Sequence, residues 1–492
     1  MIVTAHALAK TLSGKHLIDG KLASPQLGKN FPVLNPATGE DFSEAASGEA
    51  GDVNAAVQAA LKSQKAWAKK PARERGKLVA EVGRLLSEHQ EELAQLMCLE
   101  TGKAIRTECR VEVSAAADIW TFYGGLGSEL KGETIPFSHD MLTLTQREPI
   151  GVVGAIIPWN VPLLLMALKV CPALVAGNCV VMKSAEEAPF CVLRVAELAQ
   201  KFLPPGVLNV LSGFGPECGG ALVEHPAVRK ITFTGSVETG KIIAHSAAEK
   251  LIPTTLELGG KSPMIVLEDA DLDRAVQGAV IGVRFTRQGQ SCTCASRIFI
   301  HRSLHDEFVA RLMAKVNAMK IGNPFDETTD IGSIISPQQF ARVRKYIDIG
   351  EKTPGAKAHY CGQLTKDPQF AQGLFVQPVI FTGLTNASPV AREEIFGPVT
   401  SVMMFDEFDE AIAMANDSSY GLAATVWTRD LAKALQATQR LEAGFVQVNQ
   451  NLVVQANLSY GGIKDSGLGK EASCEAMCEH FTQKKTIIIN MR

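Results

Sequence analysis

Between residues 150 and 260, short apolar runs alternate with segments of helix length, and this alternation constrains the fold more than any other feature. The apolar runs are residues 152–157, 179–182, 207–211, 231–233 and 255–258. Strands that alternate with helices are typical of a parallel sheet with helices on both faces. We therefore predict an α/β fold in which these runs form the strands of one sheet.

Residues 151–182 are the most apolar stretch, and their length would suit a membrane span because Lys169 is their one charged residue. Pro158, Pro162 and Pro172 oppose a continuous helix, since proline lacks the backbone donor that a helix needs. The pattern instead predicts a strand, a turn, a helix of about three turns and a second strand. This stretch is expected to be a buried α/β unit.

The first 130 residues predict helices after a short opening strand region. Asp52 is placed to cap the first helix, whose apolar stripe comprises Val53, Val57, Ala60 and Leu61. The next helix has a similar stripe, made of Leu78, Val82, Leu85, Leu93, Leu96 and Met97. The first 130 residues are therefore expected to be rich in helix.

A second alternation spans residues 264–448, with apolar runs at 297–300 and 399–405, and predicts a second α/β domain that carries the chemistry. Residues 141–147 alternate apolar and polar side chains, and residues 485–490 also have strand character. Exposed strands of this kind need a partner strand or a partner subunit.

The composition excludes several classes of protein. A chain of 492 residues with 46% hydrophobic residues supports a large globular enzyme, and a net charge of -3 gives no reason to expect nucleic acid or membrane partners. The eleven cysteines and ten histidines lack the spacing of a disulfide framework or a structural metal site. The first ten residues lack signal-peptide features, so a reducing cytoplasm is expected.

Two short segments suggest acyl-enzyme chemistry. In Gly289-Gln290-Ser291-Cys292, a cysteine lies on a tight turn entered by glycine, and Glu257 lies within Leu-Glu-Leu-Gly-Gly-Lys at 256–261. A thiolate can add to a carbonyl carbon, and a carboxylate can activate the water that hydrolyses the resulting thioester. Taken alone, Cys292 also fits an inert buried thiol and Glu257 a carboxylate at a strand edge.

These two segments, G-Q-x-C and L-E-L-G-G-K, resemble the aldehyde dehydrogenase superfamily, and the resemblance covers nearly the whole chain. Further matching segments occur in the family's order and spacing: Pro-Trp-Asn at 158–160, Phe-Thr-Gly-Ser at 233–236, Glu-Ile-Phe-Gly-Pro at 394–398 and Gly-Gly-Ile-Lys-Asp-Ser-Gly at 461–467. The resemblance implies an NAD-dependent enzyme that oxidises an aldehyde to its acid.

The resemblance also implies the aldehyde dehydrogenase fold. Its Rossmann-like NAD-binding domain would comprise 1–130 and 150–256, its α/β catalytic domain 257–448, and its small β oligomerisation arm 131–149 and 470–492. Residues 449–469 would return to the cofactor domain. Because the arm joins subunits in the family, a homodimer or homotetramer is implied.

The resemblance assigns the cofactor site to several loops. Lys183 and Glu186 match the residues that hold the adenosine ribose, and the Glu186 carboxylate would repel the 2′-phosphate of NADP. The expected set of NAD-binding residues is Ile156, Pro158, Trp159, Lys183, Glu186, Gly215, Phe233, Gly235, Ser236, Leu258, Glu394 and Phe396. Outside the family context, the Lys183–Glu186 pair reads as a solvated pair at a helix start, and the Gly215 loop as a turn.

Four residues are expected to carry the reaction. The resemblance implies that Cys292 attacks the aldehyde, that Asn160 and the Cys292 backbone N–H stabilise the oxyanion, and that Glu257 activates water. Lys169 matches a family lysine near the catalytic centre and also fits a purely structural cation. The presence of Glu257 opposes the coenzyme-A-acylating branch, which usually lacks that base.

Cys294 lies two residues after the nucleophile, a C-x-C pattern found in some succinate-semialdehyde and lactaldehyde dehydrogenases. Oxidation would close a small disulfide and stop turnover.

The substrate is less constrained than the reaction. An apolar entrance made of Val161, Leu165, Leu168 and Phe285 favours a medium-size aliphatic or aromatic aldehyde, although these residues equally suit core packing. Leu168 and Thr286 replace arginines that bind succinate semialdehyde, but Arg284 and Arg287 keep that substrate, or a hydroxyaldehyde, as an alternative. A noncatalytic structural protein on this fold, and a thioesterase or amidase, remain the alternatives from other classes.

Overall fold

The computed structural model describes residues 2–451 and 455–492. The helices are α1 (Ile2–Leu12), α2 (Ala50–Lys69), α3 (Ala72–Glu88), α4 (Gln90–Thr101), α5 (Arg110–Gly125), α6 (Pro162–Val175), α7 (Phe190–Ala199), α8 (Gly220–Glu224), α9 (Val237–Glu249), α10 (Leu272–Gly282), α11 (His305–Asn317), α12 (Pro337–Glu351), α13 (Pro389–Arg392), α14 (Phe408–Asn416), α15 (Leu431–Arg440) and α16 (Cys474–His480).

The strands are β1 (His16–Ile18), β2 (Lys21–Ala23), β3 (Asn30–Asn35), β4 (Glu40–Ala46), β5 (Met141–Pro149), β6 (Val152–Ile156), β7 (Cys179–Lys183), β8 (Leu208–Leu211), β9 (Val228–Thr234), β10 (Thr254–Glu257), β11 (Pro263–Val266), β12 (Arg297–His301), β13 (Lys320–Ile321), β14 (Lys357–Tyr360), β15 (Gln363–Leu364), β16 (Val379–Thr382), β17 (Val399–Phe405), β18 (Tyr420–Gly421), β19 (Ala423–Trp427), β20 (Phe445–Val448), β21 (Ile463–Lys464), β22 (Gly467–Leu468) and β23 (Thr482–Asn490).

The apolar runs of the first alternating region form an eight-stranded sheet with the order β2-β1-β8-β7-β6-β9-β10-β22. Strands β6 to β10 run parallel to their neighbours, and β1 and β22 add antiparallel edges. All residues of β6, β7 and β8 are buried, which explains why these strands read as continuous apolar runs rather than alternating ones. The α/β fold class predicted from the sequence is confirmed.

The apolar stretch at 151–182 forms strand, turn, helix and strand, as predicted. Its helix α6 has 14 residues, about four turns rather than three, because Pro172 lies inside the helix instead of ending it. Among the described residues, no helix combines the length and apolar character needed to cross a bilayer.

The N-terminal region differs from its prediction in four respects. The helix α1 precedes the opening strands, and the second predicted helix is two, α3 and α4, separated at His89. Asp52 is not the N-cap of α2 but its third residue, and it forms a capping box with Glu49. Leu61 is 40% exposed and does not belong to the buried stripe of α2.

The second alternating region forms a seven-stranded sheet with the order β14-β16-β17-β12-β11-β19-β20. Its strands are parallel except for the edge strand β14, and β12 and β17 contain the apolar runs predicted at 297–300 and 399–405. Strand β10 belongs to the first sheet, and the next strand along the chain, β11, belongs to the second. Residues 258–262 therefore connect the two sheets.

The two exposed strand segments predicted near 141–147 and 485–490 pair with each other. β5 and β23 form an antiparallel two-stranded ribbon in which Thr482 pairs with Pro149 and Asn490 with Met141. The ribbon carries exposed apolar side chains, among them Leu142, Ile488 and Ile489.

Candidate active site

The predicted functional residues lie at the carboxyl ends of adjacent strands in the eight-stranded sheet. β6 and β9 are neighbours although the chain forms β7 and β8 between them, so the strand order reverses at this point. Ligands of open α/β sheets bind at such a reversal. Asn160 follows β6 and Ser236 follows β9, while Glu257 is the last residue of β10. The sheet therefore brings these side chains to one edge.

Cys292 lies on an irregular loop between α10 and β12. Gln288 and Gly289 both have positive φ angles, of 54° and 64°. A Cβ at Gly289 would lie 2.0 Å from the carbonyl oxygen of Gly397, so only glycine permits this contact. The predicted glycine-entered turn is thus present, and it packs the cysteine loop against the segment that contains Glu394.

The Cys292 thiol is only partly buried. Its Sγ lies 3.6 Å from the Tyr460 hydroxyl oxygen, within hydrogen-bonding distance for sulfur. Burial raises the pKa of Cys292 to about 11, and the hydrogen bond with Tyr460 opposes that rise. Glu394 and Glu257 raise the pKa further, whereas Arg287 lowers it. The thiol is accessible, and its protonation responds to the groups around it.

Glu257 is 4% exposed, and neither of its carboxyl oxygens has a hydrogen-bond partner within the described residues. Burial raises the pKa of this carboxyl well above its ordinary value, and the nearby Glu471 raises it further. Lys169 and Lys470 act in the opposite direction. A buried carboxylate whose pKa is raised is a stronger base than an exposed one and is suited to accept a proton from water.

Two consecutive residues connect the thiol to the carboxyl. Tyr460 contacts the sulfur of Cys292, and a Cβ on Gly461 would lie 2.5 Å from Oε1 of Glu257. Cys292 and Glu257 therefore line the same small volume. The sequence reasoning missed Tyr460, although this tyrosine stands directly before the Gly-Gly-Ile-Lys motif that begins at 461.

Lys169 belongs to a buried ion pair. Its Nζ donates to Glu471 Oε1 at 2.6 Å and to Thr232 Oγ1 at 3.3 Å, and both charged side chains are at most 1% exposed. Removing one partner of such a buried pair destabilises a protein by about 3–5 kcal/mol, because the other charge stays buried without compensation. Glu471 was also missed, because no local pattern connects it to a lysine 302 positions away.

Asn160 lies beside the cysteine loop. Its side-chain Nδ2 donates to the backbone oxygen of Gln290 at 3.3 Å, two residues before Cys292. The backbone oxygen of Asn160 accepts from Lys103 Nζ at 3.0 Å, and Lys103 forms a buried ion pair with Glu112. The hydrogen bond from Lys103 therefore holds the turn after β6 in place. The Asn160 side-chain amide retains a second N–H that can donate to a ligand.

The residues predicted to bind NAD surround the same edge of the sheet. Lys183 is the last residue of β7 and is 3% exposed. Its Nζ lies 3.2 Å from Oε2 of the partly exposed Glu186. Ser236 caps α9 by accepting from Thr239 N at 3.2 Å, and Gly235 lies directly on the Phe233 ring. A glycine turn that leads into a 13-residue helix suits a pyrophosphate, because the helix N-terminus attracts anions.

The segment 394–398 completes this set. Glu394 Oε1 accepts from Gly260 N at 2.9 Å, and burial raises the pKa of this carboxyl to about 7. Phe396 has a positive φ of 57°, and its ring packs edge-on to Trp159 with centroids 5.3 Å apart. Gly215 lies on an exposed π-helical turn after β8, and a Cβ on Gly219 of the same turn would lie 3.5 Å from the Lys183 side chain. The remaining members of the predicted set are Ile156, Pro158 and Leu258, which lie at or just after the ends of β6 and β10.

The residues of the predicted apolar entrance differ in burial. Phe285 is fully buried beside α10, whereas Leu168 is 3% and Val161 7% exposed. Leu165, on the first turns of α6, keeps a partly exposed side chain. The entrance that these residues would form stays a prediction.

Two further predicted features have defined environments. Arg287 forms an ion pair with Glu108, in which Nη2 lies 2.6 Å from Oε2. The Thr286 hydroxyl also donates a hydrogen bond to Glu108. The Cys294 thiol donates to the Val283 carbonyl at 3.2 Å and is free, so a disulfide with the nucleophile stays a prediction.

Comparison with known proteins agrees with this geometry. A family model described as "Aldehyde dehydrogenase family" matches residues 23–487. Mitochondrial benzaldehyde dehydrogenase of Antirrhinum majus is 41% identical over 482 residues, which cover 97% of this chain and 89% of that protein. Betaine aldehyde dehydrogenase of Brucella melitensis is 39% identical over 477 residues, or 97% of each chain.

Solved structures give the same result. The NAD+ complex of an aldehyde dehydrogenase from Bacillus cereus has a TM-score of 0.94 and 39% identity to this chain, and the match covers 98% of this chain and 97% of that one.

Proposed function

The chain belongs to the aldehyde dehydrogenase family and is an NAD-dependent enzyme that oxidises an aldehyde, and from this premise we propose its substrate class and the roles of its residues. The proposed substrate is a medium-size aliphatic or aromatic aldehyde. The proposed nucleophile is Cys292, and the proposed base is Glu257.

One observation carries the assignment of these two roles. Tyr460 and Gly461 are consecutive, and they contact Cys292 and Glu257 respectively. A thiol and an unbonded buried carboxyl that share one volume form the pair that thioester formation and hydrolysis need.

The reaction begins when the Cys292 thiolate adds to the aldehyde carbon and the carbonyl oxygen becomes an oxyanion. The side-chain N–H of Asn160 and the backbone N–H of Cys292 stabilise that charge, since preformed donors cost no reorganisation during the reaction. Bound NAD+ supplies the acceptor for the hydride that leaves this carbon. A thioester on Cys292 is the result.

Glu257 completes the cycle by taking a proton from the water that attacks the thioester. Its raised pKa makes it a stronger base than an exposed carboxylate. Lys169 opposes that rise of the Glu257 pKa from within its ion pair with Glu471 and so favours the ionised carboxylate. Lys169 acts in this proposal through the carboxyl groups rather than by touching the substrate.

The residues around the sheet edge fit NAD, and we assign the pyrophosphate to Gly235 and Ser236. Lys183 and Glu186 hold the adenosine ribose, while Glu394 and the Trp159–Phe396 pair hold the nicotinamide end. The support for these roles is the capped N-terminus of α9 and the acceptor carboxylate at Glu186.

The cofactor assignment predicts a change in preference for Glu186→Gln. Removing this carboxylate eliminates its repulsion of a 2′-phosphate, so the ratio of kcat/KM for NAD+ over NADP+ should fall about tenfold or more. Steady-state assays with each dinucleotide would measure the ratio. Glu224→Gln, at the end of α8, serves as the control. An unchanged ratio in Glu186→Gln would remove this residue from the ribose site.

The oxyanion assignment predicts that Asn160→Ala lowers kcat about 10²–10³-fold, because one preformed donor is lost. The KM for NAD+ should change little, since Asn160 acts on the substrate oxygen. Stopped-flow NADH formation separates the two parameters, and Asn54→Ala on the exposed face of α2 controls for the loss of an amide. A loss of NAD+ affinity without a slower first turnover would contradict the assignment.

The substrate proposal rests on the groups nearest the thiol. The Tyr460 hydroxyl lies 3.6 Å from the Cys292 sulfur, and the Tyr460 ring packs against Phe445 with centroids 5.8 Å apart, so aromatic surface adjoins the thiol. Arg287 is neutralised by Glu108, which argues against a dicarboxylic semialdehyde held by that residue. The 41% identity to a benzaldehyde dehydrogenase points in the same direction.

A panel of aldehydes tests the substrate class. We would follow NADH formation with short and long alkanals, benzaldehydes, betaine aldehyde, a hydroxyaldehyde and succinate semialdehyde. Higher kcat/KM for benzaldehyde or medium alkanals supports the proposal, and preference for succinate semialdehyde or a hydroxyaldehyde replaces it. No turnover by enzyme that binds NAD+ would favour a noncatalytic role.

The β5–β23 ribbon is proposed to join subunits into a homodimer or homotetramer. Its exposed apolar residues Leu142, Ile488 and Ile489 would be covered by a second copy, since an open strand edge favours pairing.

The eleven free cysteines support a reducing compartment, and we place the protein in the cytoplasm.

A further inference from the structure

The hydroxyl of Tyr460 occupies an unusual position beside the reactive sulfur. The side chain is 8% exposed, and its oxygen lies 3.6 Å from Cys292 Sγ. Its ring packs against Phe445, and its backbone pairs with Glu471 through two hydrogen bonds of 2.9 and 2.7 Å. Ring packing and backbone pairing therefore fix the hydroxyl relative to the sulfur.

We propose that Tyr460 is a further catalytic residue, whose hydroxyl donates a hydrogen bond to the Cys292 sulfur and favours the thiolate over the thiol. The proposal rests on the role of Cys292 as the nucleophile. In the thiol form either atom can donate, but a thiolate can only accept, so ionisation commits Tyr460 to the role of donor.

The other charges around the sulfur make this donor important. Glu257 and Glu394 both disfavour a thiolate, and burial disfavours it most. Arg287 favours the thiolate, but its guanidinium also forms an ion pair with Glu108. The Tyr460 hydrogen bond is the strongest of the effects that favour the ionised sulfur.

Tyr460 itself keeps its proton. Burial raises the pKa of its phenol well above the ordinary value, and the adjacent Cys292 and Glu257 raise it further, as does Glu471. The surroundings of Tyr460 therefore favour the protonated phenol, the form that can donate.

Ionisation of the thiol and formation of the carbon–sulfur bond need no additional reagent. The thiol proton passes to solvent, and the phenol proton stays on Tyr460. A sulfur lone pair then forms the bond to the aldehyde carbon as the carbonyl π electrons move to oxygen. The sulfur loses its negative charge in this step, so the hydrogen bond stabilises the thiolate more than the thiohemiacetal that forms.

The test is the pH dependence of Cys292 alkylation by iodoacetamide in full-length Tyr460→Phe. Loss of a hydrogen bond to a charged group should raise the thiol pKa by about one unit. Because thiolate nucleophilicity rises with pKa, alkylation should become about threefold slower well below the pKa and about threefold faster at the high-pH plateau. The two pH profiles should therefore cross.

Crossing profiles are a signature that general damage to the site does not produce, since damage would change the rate in one direction. Tyr123→Phe is the matched control, because its buried hydroxyl bonds the Ser473 backbone carbonyl instead of the sulfur. The control should reproduce the wild-type profile. Superimposable profiles for wild type and Tyr460→Phe would overturn the proposal.

A second variant covers the possibility that Tyr460→Phe does not fold. Incorporating 3-fluorotyrosine at 460 preserves the ring and strengthens the donor, so the thiol pKa should fall; a rise or no change would overturn the proposal. The alkylated enzyme separates this proposal from the assignment of Cys292. Aldehyde oxidation that survives complete alkylation of Cys292 refutes the nucleophile, whereas lost activity with unshifted profiles refutes Tyr460 alone.

Discussion

Cys292→Ala is expected to lower NADH formation from every aldehyde by roughly 10⁴-fold or more, the scale on which loss of a covalent nucleophile slows enzymes that form acyl intermediates. The sulfur is the only group in the proposal that bonds to the aldehyde carbon. NAD+ binding should persist, because the capped N-terminus of α9 and the Lys183–Glu186 pair do not depend on the thiol.

The measurement combines initial rates at 340 nm with NAD+ titration of the same preparation. Cys474→Ala is the matched control, since Cys474 is also partly buried but lies on α16. It should retain wild-type activity. Residual turnover of a few per cent in Cys292→Ala, with no contaminating enzyme, would require another nucleophile.

Glu257→Gln should separate the two halves of the reaction. Steady-state turnover is expected to fall about 10²–10⁴-fold, the usual contribution of a general base, while the first turnover still proceeds. Rapid mixing should then show a burst of about one NADH per Cys292 followed by a slow phase. The glutamine keeps the size of the side chain but cannot accept the proton of water.

The same carboxyl predicts the pH dependence of wild-type deacylation. A base works only when deprotonated, so the deacylation rate should rise with pH through the elevated pKa of Glu257. Glu257→Gln should lose that rise. Glu268→Gln, which changes an exposed carboxyl shortly after β11, should behave as wild type. A normal steady state, or a missing burst with intact NAD+ binding, would contradict the role of Glu257.

Local patterns predicted the sheet well because its strands are buried on both faces. Burial of that kind needs continuous apolar runs, which residues 152–157 and 179–182 display directly. Helix boundaries were predicted less well. Nothing in the apolar stripe from Leu78 to Met97 shows that the chain turns at His89, since the stripe continues across the break.

The candidate site was predictable where chemistry is concentrated in short motifs. The segments around Cys292 and Glu257 predicted a nucleophile and a base. In the structure, Cys292 contacts Tyr460, and Glu257 contacts the next residue, Gly461. Tyr460 and Glu471 were missed because their significance arises only from contacts across hundreds of residues. The burial of Phe285 was equally hard to predict, since the direction of a side chain on an irregular turn depends on packing.

The order of the segments along the chain has a consequence for biosynthesis. Cys292 and Glu257 emerge from the ribosome well before residues 460–471, which supply Tyr460 and the ion-pair partner of Lys169. Domains fold progressively as the chain is synthesised, so the parallel strands of both sheets can form before the edge strand β22 and these partners are present. We expect the nascent chain to reach full activity only after translation of the segment that leads into the β5–β23 ribbon.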